Sequence, residues 1–99
     1  MKKPGYVYII TNKNRTTLYI GVTSLIKKRI HQHKTHFYKG SFSARYNLEF
    51  LVYYEFHDSI VEAIAREKQL KAGNRKRKEA LINSINPEWK DLYDELTFE

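Results

Sequence analysis

Gly5-Tyr6-Val7-Tyr8-Ile9-Ile10-Thr11 and Thr17-Leu18-Tyr19-Ile20-Gly21-Val22-Thr23 decide the reading of this chain. Both stretches are rich in β-branched and aromatic residues, which suit a pleated, half-buried surface. The polar segment Asn12-Lys13-Asn14-Arg15-Thr16 between them reads as a turn, so the two form a hairpin. Side chains alternate across a strand, so Tyr6, Tyr8 and Ile10 share one face, and Tyr19 and Gly21 share one face. Register decides whether these faces coincide. With a four-residue loop, Asn12 pairs with Thr17, Tyr8 lies opposite Gly21 and Ile10 lies opposite Tyr19. The two tyrosines are then diagonal neighbours beside a gap at Gly21. A five-residue loop puts them on opposite faces.

Working outward, Ser24 can cap a helix over about Leu25 to Phe37, with Ile26 and Phe37 as buried residues. Lys39 to Asn47 reads as a loop around Gly40, and Leu48 to Phe56 as a third strand, the best buried of the three. Ser59-x-x-Glu62 is a capping box that starts a helix from Ile60 to about Ala72, with Gly73 at its C′ position. Asn74 can cap a further helix, Arg75 to Ile85. Asn86 and Pro87 suit the N-cap and first position of an acidic C-terminal helix, residues 86–99. Trp89, Leu92 and Leu96 give that helix a stripe to dock on the core. The order ββαβααα predicts an α/β fold, with a small three-stranded antiparallel sheet flanked by helices. A chain of 99 residues with 41% hydrophobic content suits one domain, residues 1–99.

Charge is uneven along the chain. Residues 1–85 carry 17 Lys/Arg against 6 Asp/Glu, and residues 86–99 carry 1 against 5. So basic a body attracts polyanions through counterion release, and nucleic acid is the expected partner. No cysteine is present, which removes disulfides and thiolate metal sites. Met1-Lys2-Lys3 begins like a secretory leader, but the apolar run after it ends at Ile10. No run approaches the roughly 20 apolar residues of a membrane span. A cytoplasmic protein without a membrane or an obligate protein partner is expected.

Several polar residues sit where apolar ones belong. On the helix from Ile60, Glu67 falls within the arc of Ile60, Ala63, Ile64, Leu70 and Lys71. A carboxylate there needs a partner or a cation, either a structural ion pair with Arg29 or Lys71, or a metal. Arg29 and His33 are i, i+4 neighbours on one face of the first helix, beside Ile30. An arginine there matches phosphate geometry, and His33 otherwise reads as a satisfied boundary histidine. His31 and His33 point about 200° apart on a helix, so with His36 they make a poor zinc cluster. Lys27, Lys28, Arg45, Lys71, Arg75, Lys76, Arg77 and Lys78 are candidates for contacts to a nucleic-acid backbone.

Taken in order, these residues resemble the GIY-YIG nuclease family. Tyr6-Val7-Tyr8 stands at the first motif, with Tyr for Gly and Val for Ile. Tyr19-Ile20-Gly21 matches the second about ten residues later, with Gly21 at the substrate gap. Arg29 and His33 fit the family's helix motif, and Glu67 fits its metal-binding glutamate. The ending Asn86-Pro87-Glu88-Trp89 with Asp91-Leu92-Tyr93 is similar to that of small stand-alone bacterial members. Two positions depart further. Asn74 and Asn86 both suit the family's late asparagine, and Val22 stands where some members carry lysine.

The resemblance implies a metal-dependent endonuclease that hydrolyses DNA phosphodiester bonds, with a role in DNA repair or recombination. One Mg²⁺ or Mn²⁺ ion would sit on Glu67, with water and phosphate completing its octahedron. Arg29 would neutralise charge on the phosphate. Tyr19 is the candidate general base, with Tyr8 positioning the water or sharing that role, and His33, whose ordinary value near 6.5 suits a base, as the alternative. The sequence contains no appended zinc finger or helix-turn-helix, so weak sequence preference and selectivity for a DNA structure are expected. A catalytically inactive nucleic-acid-binding module is the alternative function, and a domain that docks an acidic protein is a third.

Overall fold

The structure is a computed structural model that describes residues 3–97. Three antiparallel strands, β1 (Gly5–Thr11), β2 (Leu18–Thr23) and β3 (Phe50–His57), form a sheet of order β2-β1-β3. The helices are α1 (Ile26–Lys34), α2 (Phe42–Arg45), α3 (Ile60–Ala72) and α4 (Arg75–Ile85). This is the expected α/β architecture. The hairpin register pairs Tyr8 with Gly21 and Ile10 with Tyr19. Asn12 sets it, since its side-chain oxygen accepts the backbone N–H groups of Thr16 and Thr17.

The alternation of β1 divides the core in two. Tyr8 and Ile10 face Ile26 and Ile30 of α1, together with Leu48, Leu51, Leu92 and Leu96. Val7 and Ile9 face Ala63 of α3 and Ile82 of α4, together with Ile20, Val52 and Tyr53. A bulge in β3 opposite Ile9 and Ile10 lets the consecutive Val52 and Tyr53 both join this second cluster. Gly5 lets α3 approach, because a Cβ there would stand 2.8 Å from that of Ala63.

Several expectations need correction. The best-buried strand is β1, not β3, because β1 is paired on both edges while β3 is an edge strand. Ser24 does not cap α1; Thr23 Oγ1 accepts the Leu25 N–H instead. Helix α1 stops at Lys34 rather than reaching Phe37. His36 takes the left-handed conformation (φ 52°), and the Phe37 N–H returns to the Gln32 carbonyl in a Schellman closure. Phe37 is consequently 62% exposed instead of buried. The expected loop 39–47 contains α2, whose cap is Ser41. Gly73 ends α3 at φ −78°, so it uses no left-handed freedom. Ser59 and Asn74 cap α3 and α4 as expected, though Ser59 accepts the Val61 N–H rather than forming the capping box with Glu62.

The C-terminal helix does not form. Among residues 86–97 only Tyr93–Glu95 makes a single 3₁₀ turn, and Phe98 and Glu99 of the expected helix lie outside the described residues. Trp89 has φ 54° and packs on the α3–α4 side, while Leu92 and Leu96 are buried on the α1 side. Asn86 imposes this path. Its buried amide donates to the carbonyls of Val52 (3.0 Å) and Lys90 (2.9 Å) and accepts the Lys90 N–H (3.0 Å). Asp91 then accepts the Leu51 and Tyr93 N–H groups and pairs with Lys34. Asn86→Ala leaves buried carbonyls unpaired and is expected to cost about 2–4 kcal/mol. Urea denaturation of wild type and variant measures this directly.

Candidate active site

Tyr8 lies at the centre of the candidate site. Its side chain leaves the middle strand on the α1 face and is 1% exposed. Its ring spreads across Gly21, where a Cβ would stand only 2.3 Å from Tyr8 Cζ and Oη. The glycine is therefore dictated by the neighbouring ring and not by backbone conformation. Tyr8 Oη lies 2.8 Å from His33 Nε2, and the two ring centres are 5.6 Å apart. Tyr19 stands edge-on to His33 at 6.0 Å. Arg29, one turn before His33, is close enough for its charge to act on both Tyr8 and His33. The structure thus brings Tyr8, Tyr19, Arg29 and His33 together.

Glu67 comes from α3, on the opposite side of the sheet. Its carboxylate is close enough to act electrostatically on Tyr8. Its side chain is 14% exposed and pairs with Lys71 at 3.3 Å, and Lys71 Nζ lies 5.8 Å from the centre of the Tyr19 ring. Of the two ion-pair partners that the sequence suggested for Glu67, Lys71 is the one that pairs with it. The carboxylate sits at the rim of the core, as its position on the apolar arc requires.

Burial divides the candidate bases. It pushes the Tyr8 phenol well above its ordinary value of 10, against the opposing pull of Arg29. Burial, helped by the Arg29 charge, lowers His33 to about 4. At neutral pH Tyr8 is therefore a phenol and His33 a neutral imidazole. The sequence expectation for His33 rested on its ordinary value near 6.5; desolvation removes that advantage.

One participant was missed by the sequence reading. Ser43 Oγ lies 2.8 Å from His33 Nδ1, and Ser41 Oγ lies 3.2 Å beyond it. Placing the ring proton on Nδ1 lets the Tyr8 phenol donate to His33 Nε2. His33 Nδ1 then carries the ring proton and donates it to Ser43. The signal was Ser41 as an N-cap ahead of Phe42-Ser43-Ala44, which the reading of residues 39–47 as loop passed over. Ser43→Ala leaves a buried N–H unpaired. Turnover is expected to fall about tenfold with KM little changed, for a lost hydrogen bond of about 1–1.5 kcal/mol. Steady-state kinetics of the variant checks it.

The basic candidates are dispersed. Lys71 is at the site. Arg75 is engaged elsewhere, because its guanidinium donates to the carbonyls of Arg15 and Thr16 and pairs with Glu79, tying the hairpin turn to α4. Lys76 and Arg77 are exposed and Lys78 half-buried on α4; Arg45 is exposed on α2. Lys27 and Lys28 line a separate pocket with Leu25, His31 and Tyr93. His36 pairs with Glu49, so the three histidines of this region do not converge. Asn74 caps α4 and Asn86 anchors the tail, so both asparagines carry structural bonds.

Among the described residues no helix is long and apolar enough to cross a membrane. No group of three or more His, Cys, Asp or Glu forms a metal cluster among them either.

Comparison with known proteins gives a consistent result. Residues 4–80 match the family described as the GIY-YIG catalytic domain. The chain is also 36% identical over 84 residues to a UPF0213 protein of Syntrophus aciditrophicus (strain SB), covering 85% of this chain and 94% of that protein. No solved structure matches. The match spans the hairpin, α1, β3 and α3, the elements that carry Tyr8, Tyr19, Arg29, His33 and Glu67. The chain belongs to the GIY-YIG family, whose catalytic domain is an endonuclease, a hydrolase of nucleic-acid phosphodiester bonds.

Proposed function

We propose that this protein is a metal-dependent DNA endonuclease of low sequence specificity that selects DNA by structure and serves repair or recombination in the cytoplasm. One observation carries the reading. Two tyrosines, an arginine and a histidine meet on one side of the sheet edge, and the Glu67–Lys71 pair of α3 borders them at the Tyr19 ring.

Nucleases of this family generally use a divalent metal. The donor set fits one such ion. Glu67 is a hard oxygen ligand at the core rim, and its ion-pair partner Lys71 is half exposed and free to swing aside. Glu67 would hold Mg²⁺ or Mn²⁺, which supplies Lewis-acid polarisation of the phosphate when bound. Arg29 neutralises charge growing on the non-bridging oxygens. Tyr19, the less buried phenol, would first give its own proton to solvent and then, as the phenolate, take the proton of the attacking water. Tyr8 keeps its own proton, and with His33 and Ser43 it holds Arg29 and Tyr19 in place. Gly21 leaves the room that Tyr8 needs. Exposed cations such as Lys71, Lys76, Arg77 and Arg45 hold the backbone without reading bases.

The test is a cleavage screen. Plasmid, branched and single-stranded DNA are each incubated with Mg²⁺ or Mn²⁺, with chelator controls. Cleavage that the chelator abolishes is the expected result. Salt-sensitive binding without cleavage of any substrate would instead favour the inactive binding module.

His33 makes stability depend on pH. Its value is lowered from 6.5 to about 4 in the folded protein, so below 6.5 the unfolded chain binds the proton first. Its contribution is complete above pH 6.5 and is lost as pH falls toward 4. The whole effect is on the order of 3 kcal/mol. Thermal melts of wild type and His33→Gln between pH 7.5 and 4.5 measure it. The wild type is expected to lose more stability on acidification than the variant.

A further inference from the structure

The segment between α1 and β3 exposes aromatic rings beside the candidate site. Phe37, Tyr38, Phe42 and Tyr46 are 62%, 53%, 49% and 46% exposed. They form two pairs. Phe37 and Tyr38 meet edge-on at 4.9 Å, and Phe42 and Tyr46 meet at 4.7 Å. Each pair joins the candidate site directly. Phe42 stacks on Tyr19 at 6.1 Å with a 30° interplanar angle, and Arg29 Cζ lies 5.3 Å over the Tyr38 ring. Four large rings left open to water next to a site mark a binding surface, not leftover core. Backbone geometry keeps them out. The Schellman closure at His36 turns Phe37 away from the sheet, and α2 is too short to bury both its ends.

The charge of the segment identifies its ligand. Residues 24–48 carry six Lys/Arg and no Asp or Glu, and Lys39 and Arg45 stand exposed among the rings. Aromatic faces interleaved with cations suit a strand whose bases are unpaired. A duplex hides its base faces in its own stack and offers these rings only phosphates. A second copy of this chain would bring the same cationic segment against itself.

We propose that Phe37, Tyr38, Phe42 and Tyr46 are a base-stacking platform that holds unpaired nucleotides on either side of the scissile phosphate, so the substrate is single-stranded at the cut. This rests on the nuclease reading and specifies its substrate. The Phe42 limb lies on the Tyr19 side and the Tyr38 limb on the Arg29 side. A single strand therefore crosses the site with bases stacked before and after the phosphate. The substrate class becomes single strands, flaps and bubbles rather than intact duplex.

Binding by fluorescence anisotropy tests this without turnover, using Glu67→Gln protein and a labelled 12-nucleotide DNA. Comparisons are its fully paired duplex and an abasic strand of equal length. The single strand is expected to bind at least tenfold tighter than either. Tyr38→Ala and Phe37→Ala are each expected to weaken single-strand binding roughly 5- to 100-fold, the range for one stacked base, and to change duplex binding less than twofold. Phe37→Tyr, which keeps the ring, should restore it. Circular dichroism confirms that each variant is folded.

Equal affinity for single strand, duplex and abasic strand would overturn the platform. So would a concentration-dependent dimer that Phe37→Ala abolishes, since the rings would then be a self-contact. Wild-type cleavage of duplex with no single-strand preference would remove the platform and leave the nuclease. Base-dependent single-strand binding without cleavage on any substrate would keep the platform and remove the nuclease.

Discussion

Glu67→Gln is expected to lower phosphodiester cleavage about a thousandfold while leaving the fold intact. The size follows from the role: a metal held at the phosphate supplies several kcal/mol of transition-state stabilisation, and each 1.4 kcal/mol is about tenfold in rate. Glutamine keeps the volume and one oxygen but loses the charge that holds a divalent ion. The cost to stability should be small. The ion pair with Lys71 spans 3.3 Å and its lysine is half exposed, which places it among pairs worth about 1 kcal/mol or less. A readout independent of turnover is Mn²⁺ binding by electron paramagnetic resonance, in which the variant should lose its site. Activity within tenfold of wild type would show that this carboxylate does not hold the metal.

Gly21→Ala is expected to damage both stability and activity. The new methyl would stand 2.3 Å from Tyr8 Cζ and Oη, far inside contact distance. The ring cannot retreat, because Tyr8 is enclosed by the α1-side core and bonded to His33 at 2.8 Å. Overpacking of this kind costs about 3 kcal/mol. Moving Tyr8 by an ångström also shifts His33 and Arg29, and a misplacement of that size costs about a hundredfold in rate. Gly21→Ala with Tyr8→Leu separates the two effects. The shorter side chain removes the clash, so the double variant should match Tyr8→Leu in stability to within about 1 kcal/mol and remain inactive. If Gly21→Ala alone melts like wild type, the close approach of ring and strand is not what places glycine here.

Much of the architecture follows from local pattern. The strand composition of residues 5–11 and 17–23, the Asn12 turn, and the caps Ser59 and Asn74 act within a few residues of themselves. The hairpin, α3 and α4 were accordingly legible. Failures occurred where a distant group, or a backbone turn that composition does not signal, overrides the local pattern. The stretch from Asn86 looks like a helix start, yet the Asn86 amide is taken by the Val52 carbonyl, 34 residues away in sequence. Phe37 looks like the last turn of a buried helical stripe, yet a left-handed histidine turns it outward.

The candidate site divides in the same way. Helical periodicity set Arg29 and His33 on one face and Glu67 on an apolar arc, and the family resemblance drew Tyr8 and Tyr19 into the same set. Glu67 stood out as a carboxylate on an apolar arc, and it does lie at the rim of the core. Only the tertiary structure decided how these groups behave. Tyr8 holds its proton and His33 stays neutral because the assembled core excludes water from both, and desolvation cannot be read from a residue's neighbours in sequence. Ser43 reaches His33 only through the folded α1–α2 turn. The sequence by itself determined the hairpin, the third strand, α3 and α4, where the deciding patterns and caps are local. Packing determined the protonation of the buried pair, because desolvation depends on contacts between segments far apart in the chain, and the backbone turn at His36 left rings open beside it.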